Sequence, residues 1–123
     1  MRMIDPGPGE LLDRTTILNL KIAAGHVAGK PTGHFESELE KIELLLDKFK
    51  SGNDSWTSWI EALSQVNRRV WVAIDRLREA ALGDTPGAAF WGLEAMYGND
   101  ERMLLIQEIN RACGQPAAEE KIR

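Results

Sequence analysis

SWTSWIEALSQVNRRVWVAIDRLREAAL, residues 55–82, carries the longest helical pattern in the chain. At about 100° per residue, Trp59, Leu63, Val66, Val70, Ile74 and Leu77 fall on one face. Asp54 or Ser55 is placed to cap the first turn, because either side chain can accept from an unpaired backbone N–H. Working outward, runs of glycine and proline punctuate the rest. Pro6-Gly7-Pro8-Gly9 precedes a first helix, Gly29-Lys30-Pro31-Thr32-Gly33 separates it from a second, and Ser51-Gly52-Asn53-Asp54 separates the second from the third. Gly83-Asp84-Thr85-Pro86-Gly87 ends the third.

Between these breaks the apolar spacing is helical, and no segment alternates as a strand would. The first helix is predicted over Gly9 to about Ala24, with Gly25 as its C-terminal cap. Leu11, Leu12, Ile17, Leu18, Leu20 and Ile22 cover most of its circumference, leaving Arg14 and Lys21 as a wet stripe. A helix so apolar all round is enclosed by others. The second helix runs from near His34 to Lys50, with Phe35, Leu39, Ile42, Leu46 and Phe49 inward. Short helical pieces are expected over Ala88 to Met96, and a last helix from Asn99 or Asp100 to about Ala112, with Met103, Ile106 and Ile109 inward. Short connections favour antiparallel neighbours. The expected fold is all-α: an up-and-down antiparallel bundle of about four helices, with a short extra helical piece before the last. The chain reads as one domain over 1–123, with flexible tails at 1–8 and 115–123.

Composition narrows the function classes. Hydrophobic residues are 43% and charged residues 28% of the chain, so it can bury a core and is not a disordered segment. The net charge of -4 is spread evenly, with basic residues balanced by acids, and no footprint for nucleic acid appears. No apolar run approaches the length of about 18 residues that spans a bilayer, and the start lacks the pattern of a signal peptide. The lone Cys113 can form neither an internal disulfide nor a thiolate cluster, which points to a reducing compartment and a cytoplasmic location.

Polar residues inside apolar arcs are the informative signal. Thr15 and Asn19 fall among the leucines of the first helix, and Asp13 lies beside Ile17 and Leu20. In the third helix Asn67 sits near the centre of the apolar face, Arg78 follows on the same side, and Asp75 lies near Trp71. In the last, Arg102 falls between Leu105 and Ile106, with Asn99 and Asn110 on the same side. An unpaired buried amide costs about 1–3 kcal/mol and a bare ion more, so such residues must satisfy one another. The expectation is a network in which Asp13 and Asp75 accept from Arg78 and Arg102, while Asn19, Asn67 and Asn99 bridge helices or cap backbone groups. Such a network either fixes helix register or lines a ligand pocket.

Other groups carry less. Glu36, Glu40, Glu43 and Asp47 form an acidic stripe of the kind that holds magnesium in helical nucleotide pyrophosphohydrolases. They lie beside Lys41, Lys48 and Lys50, and a solvated face explains them as well. His26 and His34 read as surface residues, and Cys113 as an inert thiol. The four tryptophans, Trp56, Trp59, Trp71 and Trp91, read mostly as core anchors; any that reaches the surface marks an interface. No phosphate loop, nucleophile elbow or zinc-binding pair appears, and no metal or cofactor is implied.

Three stretches are familiar together: PGELLDRTTIL (8–18) with Lys21; Val66-Asn67 with Trp71, Ile74, Asp75 and Arg78; and Tyr97-Gly98-Asn99-Asp100 with Arg102, Ile109 and Asn110. Glu119-Glu120-Lys121 adds to them. Together they resemble a DUF6165-like family, small all-helical proteins of bacteria and their phages described as a domain of unknown function. The resemblance implies a cytoplasmic helical protein, and some members keep company with glycosyltransferase or surface-polysaccharide genes; it carries over no catalytic residue. Three functions are compatible with these features. The first is a non-catalytic interaction or accessory module forming a homo-oligomer or binding a protein partner. The second is a protein holding a small anionic metabolite in the bundle through Arg78 and Arg102, as a binding protein or an enzyme acting by electrostatic stabilisation. The third is a magnesium-dependent hydrolase of nucleotides. Neither nucleic acid nor membrane is expected as a partner.

Overall fold

A computed structural model of the chain describes residues 6–114 as four helices: α1 (Pro8–Ala28), α2 (Gly33–Lys50), α3 (Trp56–Ala80) and α4 (Thr85–Ala112). The fold is an all-α bundle, without strands among the described residues. The expected tail over 115–123 and residues 1–5 of the expected N-terminal tail lie outside the described residues, as does Glu119-Glu120-Lys121. At residues 7 and 8 the expectation of a loose end is corrected. Gly7 and Pro8 are buried, and the Gly7 N–H donates to Glu10 Oε2 at 2.8 Å, which ties down the start of α1.

Two helix boundaries differ from the sequence reading, for reasons of packing. Helix α1 runs through Gly25 and stops at Gly29, whose φ of 68° is the left-handed cap conformation that glycine takes without strain. Gly25 is instead a close-approach position: a Cβ there would meet the Thr32 methyl. The last helix is one continuous rod of 28 residues, not separate pieces with a new start at Asn99 or Asp100. Asp84 caps it, accepting from the Gly87 N–H at 3.0 Å, and Pro86 sits in its first turn where no N–H is needed. Gly98 is not a break, because its bare backbone lets Val70 of α3 approach where a Cβ would collide.

The seam from α3 to α4 is the most extensive in the molecule, and the two helices form a long hairpin. The pairs Val70–Gly98 and Arg69–Glu101 mark its antiparallel register. Helix α1 packs on all three others. It runs antiparallel to α4, with Gly9 against Asn110 and Asp13 against Arg102. It also runs antiparallel to α2, with Arg14 paired to Glu38 at 2.7 Å and the Lys21 ammonium 5.5 Å from the centre of the Phe35 ring. The stripe expected to be wet is therefore partly covered by α2. The core gathers Leu12 and Leu18 of α1, Ile42 and Leu46 of α2, Trp56, Trp59, Leu63 and Val66 of α3, and Ile106 and Ile109 of α4.

Candidate functional site

Asp13 stands at the centre of the bundle's polar interior, with only 4% of its surface exposed. Its carboxylate accepts from Arg102 twice, Nε at 2.8 Å and Nη2 at 2.6 Å, a bidentate geometry suited to guanidinium. It also accepts from Asn67 Nδ2 at 2.9 Å, and the same amide donates to Thr16 Oγ1 at 2.7 Å. Thr16 in turn donates to the Asp13 carbonyl at 2.8 Å. Asn99 Oδ1 accepts from Arg102 Nη1 at 3.4 Å. Three helices thus contribute to one network, and among the described residues no fully buried side-chain nitrogen or oxygen lacks a partner. The hydrogen bonds to Asp13 raise the Arg102 pKa against the opposing cost of desolvation, so the guanidinium stays charged.

A second polar cluster closes the end of the bundle below this one, and the sequence reading did not identify it as a site. Asn110 is fully buried; its Oδ1 accepts from the Gly9 N–H at 2.7 Å and its amide donates to Glu10. A Cβ on Gly9 would press into the Ile106 carbonyl, so glycine is what lets α1 touch the α4 backbone. The sequence signals were present in Pro8-Gly9-Glu10 and in Asn110, which lies on the inner side of the last helix. Read alone, the glycines looked like breakers.

Above the Asp13 network α1 and the hairpin part. Leu12, Thr16, Asn19 and Ala23 follow one side of α1; the first two are buried and the last two exposed. The divergence opens a cleft of about 300 Å³ between α1 and α3. Ile17, Leu20, Val70, Trp71 and Ile74 form its apolar walls, Asn67 and Arg102 line its polar part, and Lys21, Asp75 and Arg78 complete the lining. Arg102 belongs to both network and cleft. It is held on one side by Asp13 and remains 30% exposed.

The predicted site residues separate accordingly. Asp13, Asn67, Asn99 and Arg102 are brought together. Asp75 and Arg78 line the cleft but do not enter the buried network as expected: their side chains are 56% and 78% exposed, and they face each other within α3 at a loose 3.8 Å. The wheel angle was right, but α1 has already moved away at that level. Asn19 is exposed for the same reason, a correction to its place in the apolar arc. Thr16 supplies the hydroxyl that Asn67 uses, whereas Thr15 bonds only to its own helix at the Leu11 carbonyl.

The acidic stripe Glu36, Glu40, Glu43 and Asp47 is exposed throughout, and no group of three or more His, Cys, Asp or Glu converges among the described residues. Trp56 and Trp59 are core residues, whereas Trp71 and Trp91 are half-buried. No described helix is long and apolar enough to cross a membrane. Compared with family models, curated proteins and solved structures, the chain matches none.

Proposed function

We propose that this protein binds a small anionic ligand with an apolar or aromatic body in the cleft between α1 and α3. The observation that carries the reading is the meeting of Lys21, Arg78 and Arg102, from three different helices, around one apolar-walled cleft of about 300 Å³. That volume lies at the lower end of small-molecule sites, and apolar walls with a few convergent polar groups are their usual lining. A carboxylate or phosphate in this cleft would meet the exposed side of the Arg102 guanidinium, with Lys21 and Arg78 on its rim. Its body would lie along Trp71, Ile74 and Leu20. Asp13 orients Arg102 in advance, which lowers the ordering cost of binding. These groups supply charge and shape, the needs of a binding module; the acidic stripe of α2 stands exposed and apart from this cleft.

We further propose that the chain belongs with the DUF6165-like family. Lys21, Asn67, Trp71, Ile74, Asp75, Arg78 and Arg102, which carry the resemblance from three separate stretches, all surround this cleft. A second reading, the self-associating interaction module, draws on a different surface, the exposed Phe90, Leu93 and Tyr97 of α4.

Thermal-shift and tryptophan-fluorescence titrations test the ligand reading, with benzoate and inorganic phosphate as probes. The expected result is a dose-dependent rise in Tm with benzoate, accompanied by a change in Trp71 emission and lost in Lys21→Ala and Arg78→Ala. If neither probe moves Tm, or if both variants respond as the parent does, the cleft does not bind anions.

A further inference from the structure

The side of the hairpin facing away from α1 carries a charge pattern divided by helix. Two neighbouring grooves run along the outer α3–α4 seam, about 370 and 460 Å³ in volume, and no residue of α1 or α2 lines either. Both are lined by Gln65 and Arg69. The basic residues of this face, Arg68 and Arg69, come from α3, and the acidic ones, Glu94, Glu101 and Glu108, come from α4. Arg76 continues the α3 row two turns beyond Arg69; it is 58% exposed and only loosely paired, at 3.9 Å, with Glu79 of its own helix. Along α4, Phe90, Tyr97 and Leu104 recur every seven residues on the outer surface, exposed by 54%, 58% and 66%. Glu94 and Glu101 lie between these side chains, so the stripe is apolar and acidic by turns, an exposed face that cationic side chains with apolar stems can cover.

We infer that this face binds a second copy of the chain, about a two-fold axis running along the hairpin. Such an axis lays α3 of one copy over α4 of the other and keeps each residue at its own level. Within one copy Arg69 pairs with Glu101, and seven residues along each helix lead to Arg76 and Glu94. In the dimer Arg69 therefore comes over the second copy's Glu101, and Arg76 over the second copy's Glu94. Phe90, Tyr97 and Leu104 of each α4 are covered by the arginine stems of the opposing α3, a contact favourable to apolar parts and, at the two rings, to the cations. The alternative axis, across the hairpin, sets arginines on arginines and acids on acids, which like-charge repulsion disfavours. An isologous pairing of this kind is self-limiting at two copies. It leaves the α1–α3 cleft open on the opposite side of each hairpin, and it stands independently of the ligand reading.

Light scattering and sedimentation velocity over a range of concentrations test the arrangement. The parent is expected to dimerise. Arg76→Glu and Glu94→Arg, both at exposed positions, are each expected to weaken self-association at least tenfold, with helicity by circular dichroism unchanged. Mixing the two variants in equal amounts restores opposite charges at both contacts, and a heterodimer is expected. Tyr97→Asp is expected to give a monomer in every background. A parent monomeric at all concentrations overturns the proposal, as does a dimer indifferent to both charge reversals. A dimer strengthened by Arg76→Glu alone overturns the arrangement, since it would place α3 on α3.

Discussion

The two ends of this bundle solve opposite problems. At the lower end the N-terminal turns of α1 lie against the C-terminal turns of α4, and Leu12, Leu18, Leu63 and Ile109 are at most 1% exposed. The polar groups there, Asp13, Asn67 and Asn110, are buried and hydrogen-bonded to one another's helices. At the upper end α1 has left the hairpin, and Val27 and Leu82 are 90% exposed. Charges there are loosely paired, as in Arg78–Asp75 at 3.8 Å, and the cleft opens between the helices. The contrast teaches that a sealed core and an open cleft are built on different lengths of the same helices. Arg102 is the hinge between them: anchored from below, available from above.

Substitutions that treat the two ends alike would break this division. The largest effect is expected from Leu63→Ala, which leaves a cavity in the sealed core and costs about 3 kcal/mol in urea unfolding, whereas Leu82→Ala at the open end changes stability by less than about 0.5 kcal/mol. Asp13→Ala is expected to cost about 3 kcal/mol by the same measurement. It takes from the buried Asn67 amide one of its two acceptors, leaving only Thr16, and leaves the half-buried Arg102 guanidinium uncompensated, and it is expected to remove the benzoate response as well. Gly9→Ala follows at about 2 kcal/mol, because its methyl must displace the α4 backbone at Ile106. A thermal melt in which Gly9→Ala equals the parent would mean that α1 and α4 are not in such close contact.

The smallest effect concerns the exposed Arg14–Glu38 pair. Bonding to Arg14 holds the Glu38 pKa below the ordinary glutamate value, so its contribution is complete above about pH 4.3 and is lost as pH falls through the depressed folded value. Glu38→Gln is expected to leave neutral-pH stability almost unchanged and to flatten the acid limb of the unfolding curve slightly. A steeper acid limb in the variant would reverse the assigned sign.

Much of the lower end was legible from the chain alone. Helical spacing gave the faces of α2 and α3, and the expense of burying an unpaired amide or ion predicted that Asp13, Asn67, Asn99 and Arg102 would meet. The same wheel misplaced Asn19 and buried Asp75 and Arg78, because angular position says which side a residue is on and not whether a neighbour persists at that height. Tyr97-Gly98-Asn99-Asp100 resembled a helix start because glycine is ambiguous: it breaks an isolated helix, yet within a packed pair it is the residue that permits contact. Only Val70 resting on Gly98 distinguishes the two.

What the sequence determined by itself was the helical class, most of the boundaries and the polar partners that had to find one another, since periodicity and desolvation act through residue type and local spacing. What only the tertiary structure decided was where α1 separates from the hairpin, and with it the cleft, the continuity of α4 and the outward-facing charged seam. Those depend on how closely whole helices approach over their length, and that approach is set by a handful of contacts, Gly9 on Ile106 and Gly98 on Val70, between residues far apart in the chain.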